Sequence, residues 1–255
     1  MDFIERTKRF FGLSFSLANA GFKLRNEGSY LGILWYLLNP VLMFLLLFLI
    51  FRDRLGNEIP YYALYLLLGI IMFNFFQDVT LESTKCVREY SGIIKSIRFP
   101  GESIVGSVVI KRAFAHIFEV ILFTLVLFFI KGSIYGILFY PLIFILFCFF
   151  TFGVSLILSS FVVFFVDLDN IWAFFVRLLW LATPIFYSIG GQVRLYVFNL
   201  FNPMHYFINL SREIIIYNHL PELWILVGAM FYAILAFFIG IYAFNKLKNK
   251  FAEMI

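Results

Sequence analysis

The sequence is short of charge: Asp, Glu, Lys and Arg make up 14% of its 255 residues, against about a quarter in water-soluble domains. That shortage excludes a soluble fold, because a chain that is 63% hydrophobic with mean hydropathy +0.95 cannot cover its apolar surface with polar groups. Cysteine is scarce too. Cys86 falls in a basic segment and Cys148 deep in an apolar one, at different expected depths, which excludes a disulfide between them. The three histidines, His116, His205 and His219, are scattered, so no metal site is expected. No P-loop is present: Gly101-Glu-Ser-Ile-Val-Gly106 runs into Ser107-Val108, where Lys and Ser/Thr are required. No Ser/His/Asp set or carboxylate pair points to hydrolysis, so neither catalysis nor a resident cofactor is expected. No nucleic-acid motif accompanies the net charge of +5, which reads as topology signal and anionic-lipid contact instead. Asp2, Glu5, Arg6, Lys8 and Arg9 interrupt the N-terminus before an apolar core forms, which argues against a cleavable signal.

What is abundant is aromatic and apolar: 37 Phe, 14 Tyr and long uncharged runs. A crossing needs about 20 mostly apolar residues, and reading between charges predicts an all-α polytopic membrane protein with six transmembrane helices. The spans are 33–51, 59–77, 113–130, 137–166, 171–190 and 223–245. The uncharged run 132–166 is 35 residues long, too short for two spans and a turn, so it reads as one helix with an interfacial lead-in near Gly136 and Pro141. Lys and Arg set the orientation. Fourteen lie before the first span, between the second and third, and after the sixth; five lie on the other side, and Arg177 lies inside a span. Both termini are therefore expected in the cytoplasm. Trp35, Tyr36 and Trp172 fall at predicted inner boundaries, and Tyr61, Tyr62 and Trp224 at outer ones.

Three segments are not spans. Residues 1–30 carry Ile4, Phe11, Phe15, Ala18 and Phe22 at helical spacing, which suits an amphipathic helix in the inner interface; a plain basic anchor is the alternative. Its cations Arg6, Lys8, Arg9, Lys23 and Arg25 are candidate headgroup contacts. Residues 82–112 form the large cytoplasmic loop, in which a short helical stretch ends at Pro100. Its mix of apolar and basic side chains suits docking on a partner, or simply holds topology. Residues 191–222 are too polar to span and too apolar for an open loop, which fits two short helices dipping into the outer leaflet as an exit gate or an amphipathic cap.

Charge inside a span is costly and tends to be functional, which singles out Glu119 and Arg177. Both lie roughly 10–12 Å from the inner boundary at 1.5 Å per residue. The first expectation is a direct ion pair joined by His116; the second is that Arg177 binds an anionic or pyrophosphate-bearing lipid. No internal repeat and few intramembrane carboxylates are found, so a proton-coupled carrier is disfavoured.

With these residues in view, the sequence resembles the ABC-2-type permeases of polysaccharide exporters, nearest to the membrane subunits of O-antigen exporters. The resemblance covers essentially the whole chain. It rests on Phe22-Lys-Leu-Arg-Asn-Glu-Gly-Ser-Tyr-Leu-Gly-Ile-Leu-Trp-Tyr-Leu-Leu-Asn-Pro40 entering span one, on Ile97-Arg-Phe-Pro100, on Thr183-Pro-Ile-Phe-Tyr187, and on Asn202-Pro203 with Arg212-Glu213. Asn26 and Glu27 interrupt the family's basic cluster. The resemblance implies a homodimer in the bacterial inner membrane with two copies of a separate P-loop ATPase, which would bind the ATP and Mg. It implies coupling through Lys95, Ile97, Arg98, Phe99 and Pro100, and an outer gate at Thr183, Pro184, Tyr187, Asn202, Pro203 and Arg212. The implied cargo is a polysaccharide on undecaprenyl pyrophosphate, as in lipopolysaccharide biosynthesis, threaded through an aromatic-lined channel. A small-molecule or drug exporter on the same frame and an ATPase-independent carrier stay open as alternatives.

Overall fold

The computed structural model describes residues 3–27, 32, 34–56, 58–92, 100–130, 132–190 and 192–251, and among them there is helix and no strand. In chain order the helices are α1 (Phe3–Asn26), α2 (Leu34–Leu55), α3 (Tyr62–Glu89), α4 (Glu102–Phe129), a 3-10 turn (Tyr135–Phe139) leading into α5 (Tyr140–Phe161), α6 (Leu168–Ala182), α7 (Val193–Leu200), α8 (Pro203–Ile215) and α9 (Leu223–Leu247), closed by a 3-10 turn Lys248–Lys250. Five of these are long and apolar enough to cross a membrane: α2, α3, α4, Tyr135–Phe161 and α9.

The crossing expected at 171–190 is shorter as a helix. Helix α6 has 15 residues, about 22 Å at 1.5 Å per residue, against a hydrocarbon core of about 30 Å. Its stop is local chemistry. Pro184 has no N–H and disfavours helical geometry at Thr183, which is extended at φ −81°, ψ 136°. The loop expected at 82–112 is also shorter, because α3 runs on to Glu89 and α4 starts at Glu102. The charges that mark the span edges in the sequence are paired across these two helices. Arg112 bonds Asp78 at 2.6 Å and Glu82 at 2.8 Å, and Lys111 also pairs with Glu82. Pairing removes the reason for the helices to end there.

Helix α3 is the axis of the fold. Most of its membrane-crossing window is buried, and α2, α4, α5, α6 and α8 all pack on it. The other spans turn large apolar side chains outward, among them Leu49, Phe129, Leu142 and Phe238, as expected where lipid is the solvent. In lipid, apolar burial gives little net drive, so helices associate by close contact and polar groups. Helices α5 and α9 meet at Gly153 and Gly240: a Cβ on Gly240 would stand 2.9 Å from the Gly153 Cα, and one on Gly153 would collide with the backbone of Ala236. Buried hydroxyls turn back on their own helices, as Thr80 does to Phe76 O (2.8 Å), Thr151 to Phe147 O (2.9 Å) and Ser160 to Leu156 O (2.6 Å).

Helix α1 lies along α4, with Ser14 and Ala18 buried and Ile4, Phe11 and Phe15 more than half exposed. The apolar stripe read from the sequence therefore splits. Ala18 packs inward, Phe22 packs on Phe114 and stacks on Tyr36, and the rest stays outside.

Candidate functional site

Two sites emerge. At one end of α3 the non-helical stretch after α6 is fixed by a dense set of hydrogen bonds. Asn202 caps α8 by accepting from Met204 N at 3.1 Å, with Pro203 at the first helical position where its missing N–H costs nothing. Its amide also donates to Thr183 Oγ1 at 2.9 Å, and Thr183 itself donates to Leu179 O at 2.7 Å. From α3, Tyr62 donates to Phe186 O (2.9 Å) and Tyr65 to Tyr187 O (2.8 Å). Tyr187 closes the loop by donating to Ala182 O at 2.8 Å. At the centre sits Arg212, 1% exposed. It donates to Pro184 O at 2.8 Å and to Ile185 O and Tyr65 O at 3.0 Å each, with its guanidinium carbon 3.3 Å from the Tyr65 ring centroid. Thr183, Pro184, Tyr187, Asn202, Pro203 and Arg212 are thus brought together. Arg212, expected among the outer loop charges, is instead a buried tie to backbone carbonyls.

Beside this cluster, outside the five spanning helices, His205 is buried against Trp224 with ring centroids 6.2 Å apart. Burial, and after it the charge of Arg212, lowers its pKa to about 4.

The second site is a half-open cavity of about 730 Å³ between α2, α3, α4 and α6. Its aromatic wall is Trp35, Tyr36 and Trp180, and Asn39, Asn74 and Gln77 supply amides. Asp78, Glu119 and Arg177 bring charge. Glu119 is bonded to His116 Nδ1 at 2.8 Å, and His116 Nε2 to the Tyr140 hydroxyl at 2.5 Å. The His116 ring lies flat on Phe144, 4.6 Å between centroids. The expected direct pair of Glu119 with Arg177 is not formed. Both line the cavity, but no carboxylate of a described residue comes within 4.0 Å of Arg177, because Glu119 folds along its own helix to His116, one turn earlier. Asp78 is held by Arg112, which leaves Arg177 as the cation facing the cavity without a carboxylate partner among the described residues.

The remaining expected sites are less visible. Lys95, Ile97, Arg98 and Phe99 lie outside the described residues, as do the side chains of Arg6 and Arg25. Pro100 is half-buried, Lys8 and Lys23 are exposed, and Arg9 pairs with Glu5 at 2.9 Å. Sequence reasoning read Tyr62 only as a boundary aromatic and passed over Tyr65, Gly153, Gly240 and the pair Glu102–Lys248 (3.0 Å). Only the glycines carried a signal, as small residues inside uncharged runs.

The profile of the ABC-2 type transporter family matches residues 13–216. The chain belongs to that family. An O-antigen export system permease protein RfbA of Klebsiella pneumoniae is 30% identical over 252 residues, covering 96% of this chain and 95% of its own length. A second K. pneumoniae protein of the same name is 29% identical over 248 residues, and one from Myxococcus xanthus 26% over 254, both at the same 96% and 95% coverage. As an ABC-2 permease the chain is a multi-pass protein of the bacterial inner membrane and a transport subunit. The family implies an ATPase partner.

Proposed function

We propose that this ABC-2 permease exports a lipid-linked polysaccharide of the O-antigen type, driven by ATP hydrolysis in the partner ATPase. The observation that carries the reading is the near full-length match to O-antigen export permeases. The cavity is chemically suited to such cargo. Aromatic faces at Trp35, Tyr36 and Trp180 pack on the C–H faces of sugar rings, the amides of Asn39, Asn74 and Gln77 bond hydroxyls, and Arg177 meets a phosphate. In this reading the chain has six spans with both termini in the cytoplasm and works as a homodimer with two ATPase subunits. Helix α6 and the stretch to Gly190 together make the fifth crossing. Non-helical backbone at that depth requires its carbonyls to be bonded, and Arg212, Tyr62 and Tyr65 supply those bonds. Helix α1 lies in the inner interface with Ile4, Phe11 and Phe15 toward lipid. Residues 95–100 take the force from the ATPase, and the outer segment 183–212 forms the exit.

The test is depletion of the permease in its host, followed by extraction of lipid-linked glycans from the inner membrane. Polymer on its lipid carrier accumulates and surface glycan is lost if the reading holds. Normal glycan in both places would end it and promote the small-molecule exporter.

A further inference from the structure

The first turn of α4 is attached to both ends of the chain. On one side, the Glu102 carboxylate accepts from Lys248 Nζ at 3.0 Å, and Lys248 also bonds Asn245 Oδ1 at 2.6 Å, which fixes it at the end of α9. A Cβ on Gly101 would touch the Phe244 ring at 3.4 Å. Phe244 is buried and stands edge-on to Phe251, 5.3 Å between centroids. On the other side, Ser14 Oγ of α1 donates to Ser103 O at 3.2 Å. Gly106 admits α1 so closely that a Cβ there would lie 2.8 Å from Ser14 Oγ and 2.9 Å from the Phe10 ring.

The two attachments differ in kind. The joint to α1 is backbone and ring contact along a helix face, whereas the joint to α9 adds to the Phe244 ring contact a charge-assisted bond, partly shielded from water: the Glu102 and Lys248 side chains are 11% and 32% exposed. A Glu in the first turn also favours the helix dipole, but that role would leave Lys248 dispensable. Beyond the joint, α9 is locked to α5 through Gly240 and Gly153, so a shift at its end is carried into the membrane, because closely packed helices move as bodies.

We propose that Glu102 and Lys248 are a positioning pair for energy coupling: they make the cytoplasmic end of α9 follow the first turn of α4 when the ATPase moves that turn. The proposal rests on the reading of the chain as the membrane subunit of an ATP-driven exporter, but not on the nature of the cargo.

The experiment is hydrogen–deuterium exchange on the permease–ATPase complex in lipid nanodiscs, with and without ATP plus vanadate, following peptides that cover 241–251 and 3–26. In the wild type both peptides change with nucleotide. In Glu102→Gln and in Lys248→Gln the response at 241–251 is lost while that at 3–26 stays, and the swap Glu102→Lys with Lys248→Glu restores it. Because Lys248 is the more exposed partner, Lys248→Gln keeps the fold testable should Glu102→Gln destabilise it. An unchanged nucleotide response at 241–251 in the single variants overturns the proposal. So does an assembled swap that fails to restore the response, or a wild type that shows none. No glycan enters this readout, so normal glycan after depletion, alongside a response that depends on Glu102 and Lys248, would remove the cargo reading and leave the coupling pair standing.

Discussion

Arg212 is the sharpest place to perturb the fold. Its guanidinium is buried, pairs with no carboxylate of a described residue and holds three carbonyls. Tyr65 O lies within α3 and keeps its helical bond, and Pro184 O keeps a longer one from the Tyr65 hydroxyl at 3.3 Å. Ile185 O loses the donor that holds it. Orphaning one carbonyl and weakening a second costs about 2–4 kcal/mol, and Arg212→Met refunds part of this by removing a buried charge. Arg212→Lys keeps the charge but not the planar fork, so it leaves a poorly bonded cation in a dry site, at about 3–5 kcal/mol. The diagnostic is the order: Lys is as damaging as Met or worse. At roughly 2–4 °C per kcal/mol for a chain of this size, Arg212→Lys lowers the unfolding midpoint of the purified permease by about 6–20 °C and Arg212→Met by at most about 4–16 °C, read by intrinsic fluorescence in detergent. Had Arg212 served to bind an anion at the outer surface, Lys would rescue function and Met would unfold near the wild-type temperature. That result would refute the tie.

Gly240→Leu drives a side chain into the Gly153 backbone and destabilises by about 1–3 kcal/mol or more, whereas Gly12→Leu, with nothing within 4 Å of its Cβ position, leaves the midpoint unchanged; equal midpoints would remove the α5–α9 contact as a determinant. Reversal of Arg177 to Glu abolishes export without lowering stability, and adding Glu119→Lys does not restore it, because Arg177 makes no ion pair with Glu119; restored surface glycan would reinstate the pair. His205, with its pKa lowered from 6.5 to about 4, takes up a proton more readily unfolded than folded below pH 6.5. Stability is therefore full above that pH and falls as acid is added, by about 2 kcal/mol at pH 5, and a His205→Gln permease whose unfolding midpoint drops as much between pH 7.5 and pH 5 would disprove that origin.

How much of this was legible beforehand depends on range. Uncharged runs and aromatic content are local, and they located α2, α5 and α9 to within five residues at each end, whereas the start of α4 was set eleven residues late and the fifth span was expected to run through Thr183-Pro184. Charges were read as edges of helices, and there the reading failed for a definite reason. A carboxylate ends a span only if nothing neutralises it, and Asp78, Glu82, Lys111 and Arg112 neutralise one another across α3 and α4, so both helices continue past these charges.

The same principle explains Arg212 and Arg177, which composition cannot tell apart. Each is an arginine with long apolar stretches nearby, and the sequence placed Arg212 outside and Arg177 within. The fold reverses their accessibility. Arg212 is enclosed because Pro184 breaks α6 and frees carbonyls that need donors, a demand its fork meets at Pro184 O and Ile185 O together while the Tyr62 and Tyr65 hydroxyls meet it at Phe186 O and Tyr187 O. Arg177 stays exposed because its nearest expected partner, Glu119, has His116 on the same face of its own helix, three residues away. A buried arginine with every acceptor on the backbone holds structure; an arginine left facing a cavity of aromatics and amides is free to meet cargo. Under the proposed function, Arg177 is therefore the charge that meets cargo, because the fold leaves it facing the cavity with no carboxylate partner among the described residues.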